Sequence, residues 1–303
     1  MRHRFHALAA ATLAIAVVPI AHAEDANEHR DWQWSFAASE TAQADADLDR
    51  GGEVNVFRSA LSLSARRQAT PDFGIGFNVR YTRDRWDFTD QVALGGAAPW
   101  RDIDRFGVGL QLRGRLNDTW QWIVAPTVQY AGEEGASSSD AMSYGAAFAF
   151  SRRFSPDLDV TLGVAAIRDI DENRVRPYVA VNWKIDEHWR LGTPQSAAPA
   201  GLAGFELGYR RNETWDFGVG LGFGEYRFRL DDDGPTAGGV GESRSIPLYG
   251  RVSYRPNDLM RFDAYAGASF SNRVRVEYGD ARGTLSEDYD TAPTVGLSVT
   301  FSP

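Results

Sequence analysis

The stretch WDFGVGLGFGEYRFRL, residues 215–230, puts Trp215, Phe217, Val219, Leu221 and Phe223 on every second position. Asp216, Gly218, Gly220, Gly222 and Gly224 fill the places between them. A two-residue period belongs to a β-strand, whose successive side chains point to opposite faces. The segment therefore has one greasy face and one nearly bare face. Its glycines do not read as a nucleotide loop, because that fingerprint needs a turn and a helix after the strand. They either leave room for water or for large side chains, or they permit strong strand coiling.

The same alternation runs through the chain. Phe73, Ile75, Phe77, Val79 and Tyr81 share one parity, as do Trp120, Trp122, Val124, Val128 and Tyr130, and as do Val295, Leu297, Val299 and Phe301. The opposite parity is small or polar, as in Gly107, Gly109, Gln111 and Arg113. The sequence holds 30 Gly, 17 Phe, 11 Tyr and 9 Trp, and no long segment repeats its apolar residues at helical spacing. That is an all-β composition.

Six short polar breaks read as tight hairpin turns, because Pro, Asn, Asp and Ser favour turn geometry: ATPDF, LNDTW, FSPDL, DEHW, RNETW and RPNDL. Longer connections alternate with them, among them residues 41–53, 89–104, 133–140, 170–174, 231–245 and 278–289. The hairpins thus have two unlike ends. Their spacing predicts about fourteen strands, within a range of roughly twelve to sixteen, longer than those of a soluble sandwich.

The first residues do not belong to this pattern. Arg2 and Arg4 precede an apolar run from Ala7 to Val18, and Ala21-His22-Ala23 is a small-x-small cleavage pattern. Residues 1–23 read as a cleaved export signal, leaving residues 24–303 as one domain. The absence of cysteine excludes a disulfide framework, and a net charge of −9 argues against nucleic acid as a partner.

Long amphipathic hairpins in an exported chain fit a soluble β-sandwich, with the apolar face inside, or an outer-membrane barrel, with that face in lipid. Phe73, Trp120, Trp189 and Trp215 stand beside the tight turns, where an aromatic girdle meets lipid headgroups. An even strand count also returns both termini to the turn side. The expected architecture is a single transmembrane antiparallel up-and-down β-barrel with short periplasmic turns and long extracellular loops. It would sit in the outer membrane of a Gram-negative bacterium, against lipid and lipopolysaccharide.

The last segment, TVGLSVTF, resembles the C-terminal β-signal read by the outer-membrane barrel assembly machinery, through Gly296, Leu297, Val299 and Phe301. Ser302 and Pro303 follow Phe301, whereas the usual signal ends on its aromatic residue. Through GLAGFELGYRRNETWDFGVGLGFGEYRFRL (201–230) and IPLYGRVSYRPNDLMRFDAYAGASF (246–270), the chain is also similar to proteobacterial outer-membrane β-barrel proteins classed as a domain of unknown function. The resemblance implies fold and location and carries no catalytic residues.

No chemistry-bearing constellation stands out. Of the 5 histidines, His3, His6 and His22 lie in the signal, His29 precedes the first strand and His188 falls in a tight turn. Inner-parity carboxylates such as Asp159, Glu206, Asp216 and Asp263 are scattered, so neither catalysis nor a metal or other cofactor is expected. The inner parity is instead rich in arginine, including Arg58, Arg80, Arg113, Arg176, Arg210, Arg251 and Arg273. A basic lumen attracts anions, which points to a porin-like passive channel for small polar or anionic solutes. The alternative is a closed structural or surface-interaction barrel in which these arginines pair with inward carboxylates and loop acids. An inward loop from residues 89–104 or 231–245 would narrow either one.

Overall fold

A computed structural model of the chain describes residues 31–92, 96–194, 204–279 and 283–303. The export signal and His29 lie outside the described residues. The first strands are β1 (Gln33–Asp47), β2 (Glu53–Thr70), β3 (Phe73–Thr89), β4 (Asp102–Arg115), β5 (Trp120–Glu133) and β6 (Met142–Ser155). They are followed by β7 (Leu158–Asp169), β8 (Glu172–Lys184), β9 (Trp189–Gly192), β10 (Gly204–Arg210), β11 (Trp215–Gly222) and β12 (Gly224–Arg229). The last four are β13 (Val240–Asn257), β14 (Met260–Glu277), β15 (Thr284–Tyr289) and β16 (Ala292–Phe301).

Neighbours in chain order pair antiparallel except β11–β12 and β15–β16, and β1 pairs with β16, so the sheet closes on itself. β11 and β12 lie end to end along β13, and β15 and β16 lie end to end along β14. The sixteen segments therefore make a closed barrel of 14 strands, as the turn spacing predicts.

Hydrogen bonding explains the tight-turn end. In four of the six turns an Asx side chain accepts the two backbone N–H groups that re-enter the next strand. Asn117 Oδ1 takes those of Thr119 and Trp120, Asp186 those of His188 and Trp189, Asn212 those of Thr214 and Trp215, and Asn257 those of Leu259 and Met260. This is why Asn or Asp stands three residues before the re-entering residue in LNDTW, DEHW, RNETW and RPNDL. The N–H groups of Trp189 and His188 hold the Asp186 carboxyl below the usual carboxylate range.

The alternation resolves as apolar outside. Leu61, Phe106, Phe148, Leu162, Val219, Leu221 and Leu297 are exposed, Leu297 at 65%. Arg251, Asp263 and Ser253 are buried inside the ring. An exterior of this kind is stable only against hydrocarbon, and closure pairs β1 with β16 so that neither terminal strand is left as a free edge. Leu297→Arg is accordingly expected to lower the unfolding free energy in phospholipid vesicles by about 2–4 kcal/mol. An unchanged denaturant midpoint would place Leu297 outside the hydrocarbon.

The long-loop end differs from expectation in three places. Strands extend into stretches expected as loop, so that β13 begins at Val240 and β15 occupies Thr284–Tyr289. The 170–174 connection is itself tight, because Asp169 pairs with Glu172 across only Ile170 and Asp171. The alternation of residues 215–230 breaks at Phe223, beyond which β12 is buried almost throughout.

Candidate functional site

Beyond Gly222, β12 no longer follows β10, and with the upper parts of β13 and β14 and with β15 it forms a flap across the lumen. Its far end reaches β5, where Arg229 pairs with Gly132. β12 touches opposite walls with its two faces. On one face the Tyr226 ring lies under the guanidinium carbons of Arg105 and Arg58, at 4.0 and 4.9 Å, and Phe228 meets Trp100 edge-on at 5.0 Å. On the other, Glu225 takes Arg174 and Arg176 of β8, and Arg229 reaches Asp171 at 2.6 Å. Arg227 is tied to Glu242 and Glu277 at 3.1 and 3.0 Å and to the carbonyl of Ile170.

Around the flap an apolar cluster fills the long-loop end. It joins Leu48, Val54 and Val56 of the β1–β2 hairpin, Trp86, Trp100, Ile103, Ala131, Ile170, Phe228, Leu230, Val274, Val276 and Tyr289. These come from most of the circumference, and none is more than 7% exposed. The polar inner parity expected along whole strands thus ends below this level. Both connections expected to narrow the lumen contribute, Trp100 from one and Leu230 beside the other, where the Thr236 hydroxyl donates to the carbonyl of Pro99 at 3.1 Å.

Towards the turns, the inner walls are unlike one another. On β9–β16, Arg251 contacts Glu206 at 2.7 Å, Asp216 at 2.6 Å and Asp263 at 3.5 Å, with its side chain fully buried. Arg190 pairs with Asp216 at 3.2 Å and Arg261 with Asp263 at 2.8 Å, so three guanidiniums balance three carboxylates. The bare face of residues 215–222 lets this network lie flat. A Cβ on Gly218 would come within 2.8 Å of Glu206 and 3.0 Å of Arg251, and one on Gly220 within 2.3 Å of the Tyr249 ring. The glycines therefore make room for side chains of neighbouring strands.

The wall from β1 to β6 is built otherwise. Its inner parity between the turns and Asp84 carries Gln33, Ser35, Ser62, Ser64, Asn78, Gln111, Gln121 and Gln129, together with Arg66, Arg80 and Arg113, and no carboxylate. Arg66 donates to Gln33 at 2.8 Å, Arg113 to Gln68 at 3.1 Å and Arg80 to Thr82 at 3.4 Å. Among the described residues none of these three arginines has a carboxylate within ion-pair distance, and neither do Arg210 and Arg255 at the turn-side mouth.

The seven arginines expected in the lumen thus divide. Arg80, Arg113 and Arg210 have no carboxylate partner, whereas Arg58 pairs with Asp84 at 2.6 Å, Arg176 with Glu225 at 3.0 Å, and Arg251 lies in the balanced network. Arg273 is a correction. The left-handed Ser271 (φ 50) and the register shift between β13 and β14 insert an extra residue, which turns Asn272, Val274 and Val276 inward. Arg273 then faces outward, half exposed, and pairs with Asp288 at 2.5 Å.

Of the residues beside the turns, Trp120, Trp189 and Trp215 are 36–40% exposed on the outer face, and half-buried Phe73 packs on Trp122 with ring centroids 6.2 Å apart. His188 stacks on Tyr209 at 5.7 Å in its turn. Gly296, Leu297, Val299 and Phe301 lie in β16 between β1 and β14, and Phe301 meets Phe36.

These features define a closed antiparallel β-barrel with an apolar exterior and an in-folded flap. No protein-family model matches the chain, and no curated protein matches it, so the similarity to the proteobacterial group of unknown function gains no support. Solved structures similar in fold include an outer membrane channel from Pseudomonas putida F1, at 9% identity over 92% of this chain and 99% of that one, with a TM-score of 0.47. A Pseudomonas aeruginosa FadL homologue gives 10% identity, 89% of each chain and 0.46. The KdgM porin in complex with oligogalacturonate gives 10%, 88% and 98%, and 0.37. At such identities and scores nothing about solute or activity passes from these proteins to this chain.

Proposed function

We propose that this barrel is an outer-membrane channel for small anions, with the flap of β12–β15 controlling passage at its outer end. The carrying observation is the inner wall of β1–β6 on the turn side of Asp84, which carries no carboxylate and where Arg66, Arg80 and Arg113 have no carboxylate partner. Uncompensated positive charge in a pore with low-dielectric walls concentrates anions and repels cations. The exposed apolar belt supports location in the outer membrane, facing lipid and lipopolysaccharide. The tight turns and both chain ends then face the periplasm, with residues 1–23 as export signal and β16 as the strand offered to the assembly machinery. Phe73, Trp120, Trp189 and Trp215 form the periplasmic girdle in this reading.

The apolar cluster across the long-loop end favours a second reading, a permanently closed barrel with a structural or surface-binding role. Planar-bilayer recording under a potassium chloride gradient separates the two. A channel gives steps that reverse on the anion side, and R66Q/R80Q/R113Q moves the reversal potential towards zero. Cation preference overturns the anion reading, and silence that persists after the flap is loosened establishes the closed barrel.

A further inference from the structure

Arg66 and Arg113 flank β3 on its inner face, two strands apart and offset by two residues along them, about 12 Å at the backbone. Between them the floor is bare, because Gly74 pairs with Gln68 and Arg113, and Gly76 with Arg66 and Gln111. Arg113 lies across this floor, and a Cβ on Gly74 would stand 2.5 Å from its Nε. Each arginine is oriented by a neutral amide, Gln33 for Arg66 and Gln68 for Arg113. An amide oxygen fixes the plane of a guanidinium without cancelling its charge, so each fork keeps its attraction for a carboxylate or phosphate.

Amide and hydroxyl groups make up the rest of this wall: Ser35 on β1, Ser64 on β2, Asn78 on β3, Gln111 on β4 and Gln121 on β5. Each can both donate and accept a hydrogen bond, as an alcohol group can. A bare halide or acetate leaves these partners unused. A carboxylate with a row of neighbouring hydroxyls engages the arginines at one end and the amides along its length. Acids are drawn to this wall, whereas on the opposite wall Arg190, Arg251 and Arg261 are already paired with carboxylates.

We infer that the Arg66–Arg113 floor, with the amides and hydroxyls of β1–β5, is a binding site for polyhydroxylated carboxylates such as sugar acids. The inference rests on the anion-channel reading, whose solute class it names. Calorimetric titration of the detergent-purified full chain with potassium gluconate tests it, with potassium acetate as comparator. Gluconate is expected to bind at least about tenfold more tightly than acetate, and R113Q and R66Q are each expected to lose about tenfold or more of that affinity. R113K keeps the charge and loses the planar fork, so it should weaken gluconate and acetate alike, because both present the carboxylate that the fork holds. Equal affinities for the two anions, or gluconate binding unchanged in folded R113K, overturns the inference. Anion-selective currents without gluconate preference would overturn this site alone, and tight gluconate binding by a barrel that never conducts would overturn the channel alone.

Discussion

Arg251→Ala is expected to destabilise the barrel by about 3–5 kcal/mol, among the largest effects of any single substitution in this chain. The guanidinium is fully buried between Glu206, Asp216 and Asp263, whose own side chains are at most 7% exposed. Truncation leaves three carboxylates facing only Arg190 and Arg261. It also removes the donors to Glu206 Oε1 and Oε2, at 2.7 and 3.1 Å. Solvent screens such sites poorly, so the cost of an unpaired buried charge is felt nearly in full. Equilibrium unfolding in urea with vesicle-embedded protein measures the effect. Adding E206Q and D263N to the alanine variant should recover part of the loss, because the surplus charge is then gone. A single variant within about 0.5 kcal/mol of the parent would show that water reaches this network freely.

Phe228→Ala should open the barrel. The ring is 2% exposed and packs on Trp100 within the cluster that fills the long-loop end. Truncating a buried phenylalanine costs about 3–5 kcal/mol. If the flap is released, that contact is absent from the open state, so its loss shifts the closed-to-open ratio by about two to four orders of magnitude. Arg227→Gln acts in the same direction by removing the tie to Glu242 and Glu277. Single-channel recording should then show a large rise in open probability at unchanged unit conductance. Equal open probability in the two proteins, with both folded, would mean that the flap is part of the wall and gates nothing.

How much of this was legible can be judged from single residues. Leu297 and Phe301 read as outward and Arg251 and Asp263 as inward from parity alone, and the barrel bears that out. The turns were equally plain, because Asn117, Asp186, Asn212 and Asn257 act on backbone N–H groups two and three residues ahead. Arg273 failed because parity counts residues, and the extra residue at Ser271 changes the count. Phe223 failed for a related reason: the composition after it still alternates, while the strand has left the wall. The glycines of residues 218–220 read as bare, and only Glu206, Tyr249 and Arg251 explain why.

By itself the sequence determined everything that depends on near neighbours along the chain. Strand period, the two faces, the tight turns and the number of hairpins all follow from backbone geometry acting over a few residues. Tertiary structure alone decided which arginines keep a free charge and whether the lumen is filled. Arg251 meets Glu206 from 45 positions away, and Arg229 reaches Asp171 from 58. Such partners are chosen by strand register and by the curvature of closure, and neither leaves a local trace in the order of residues.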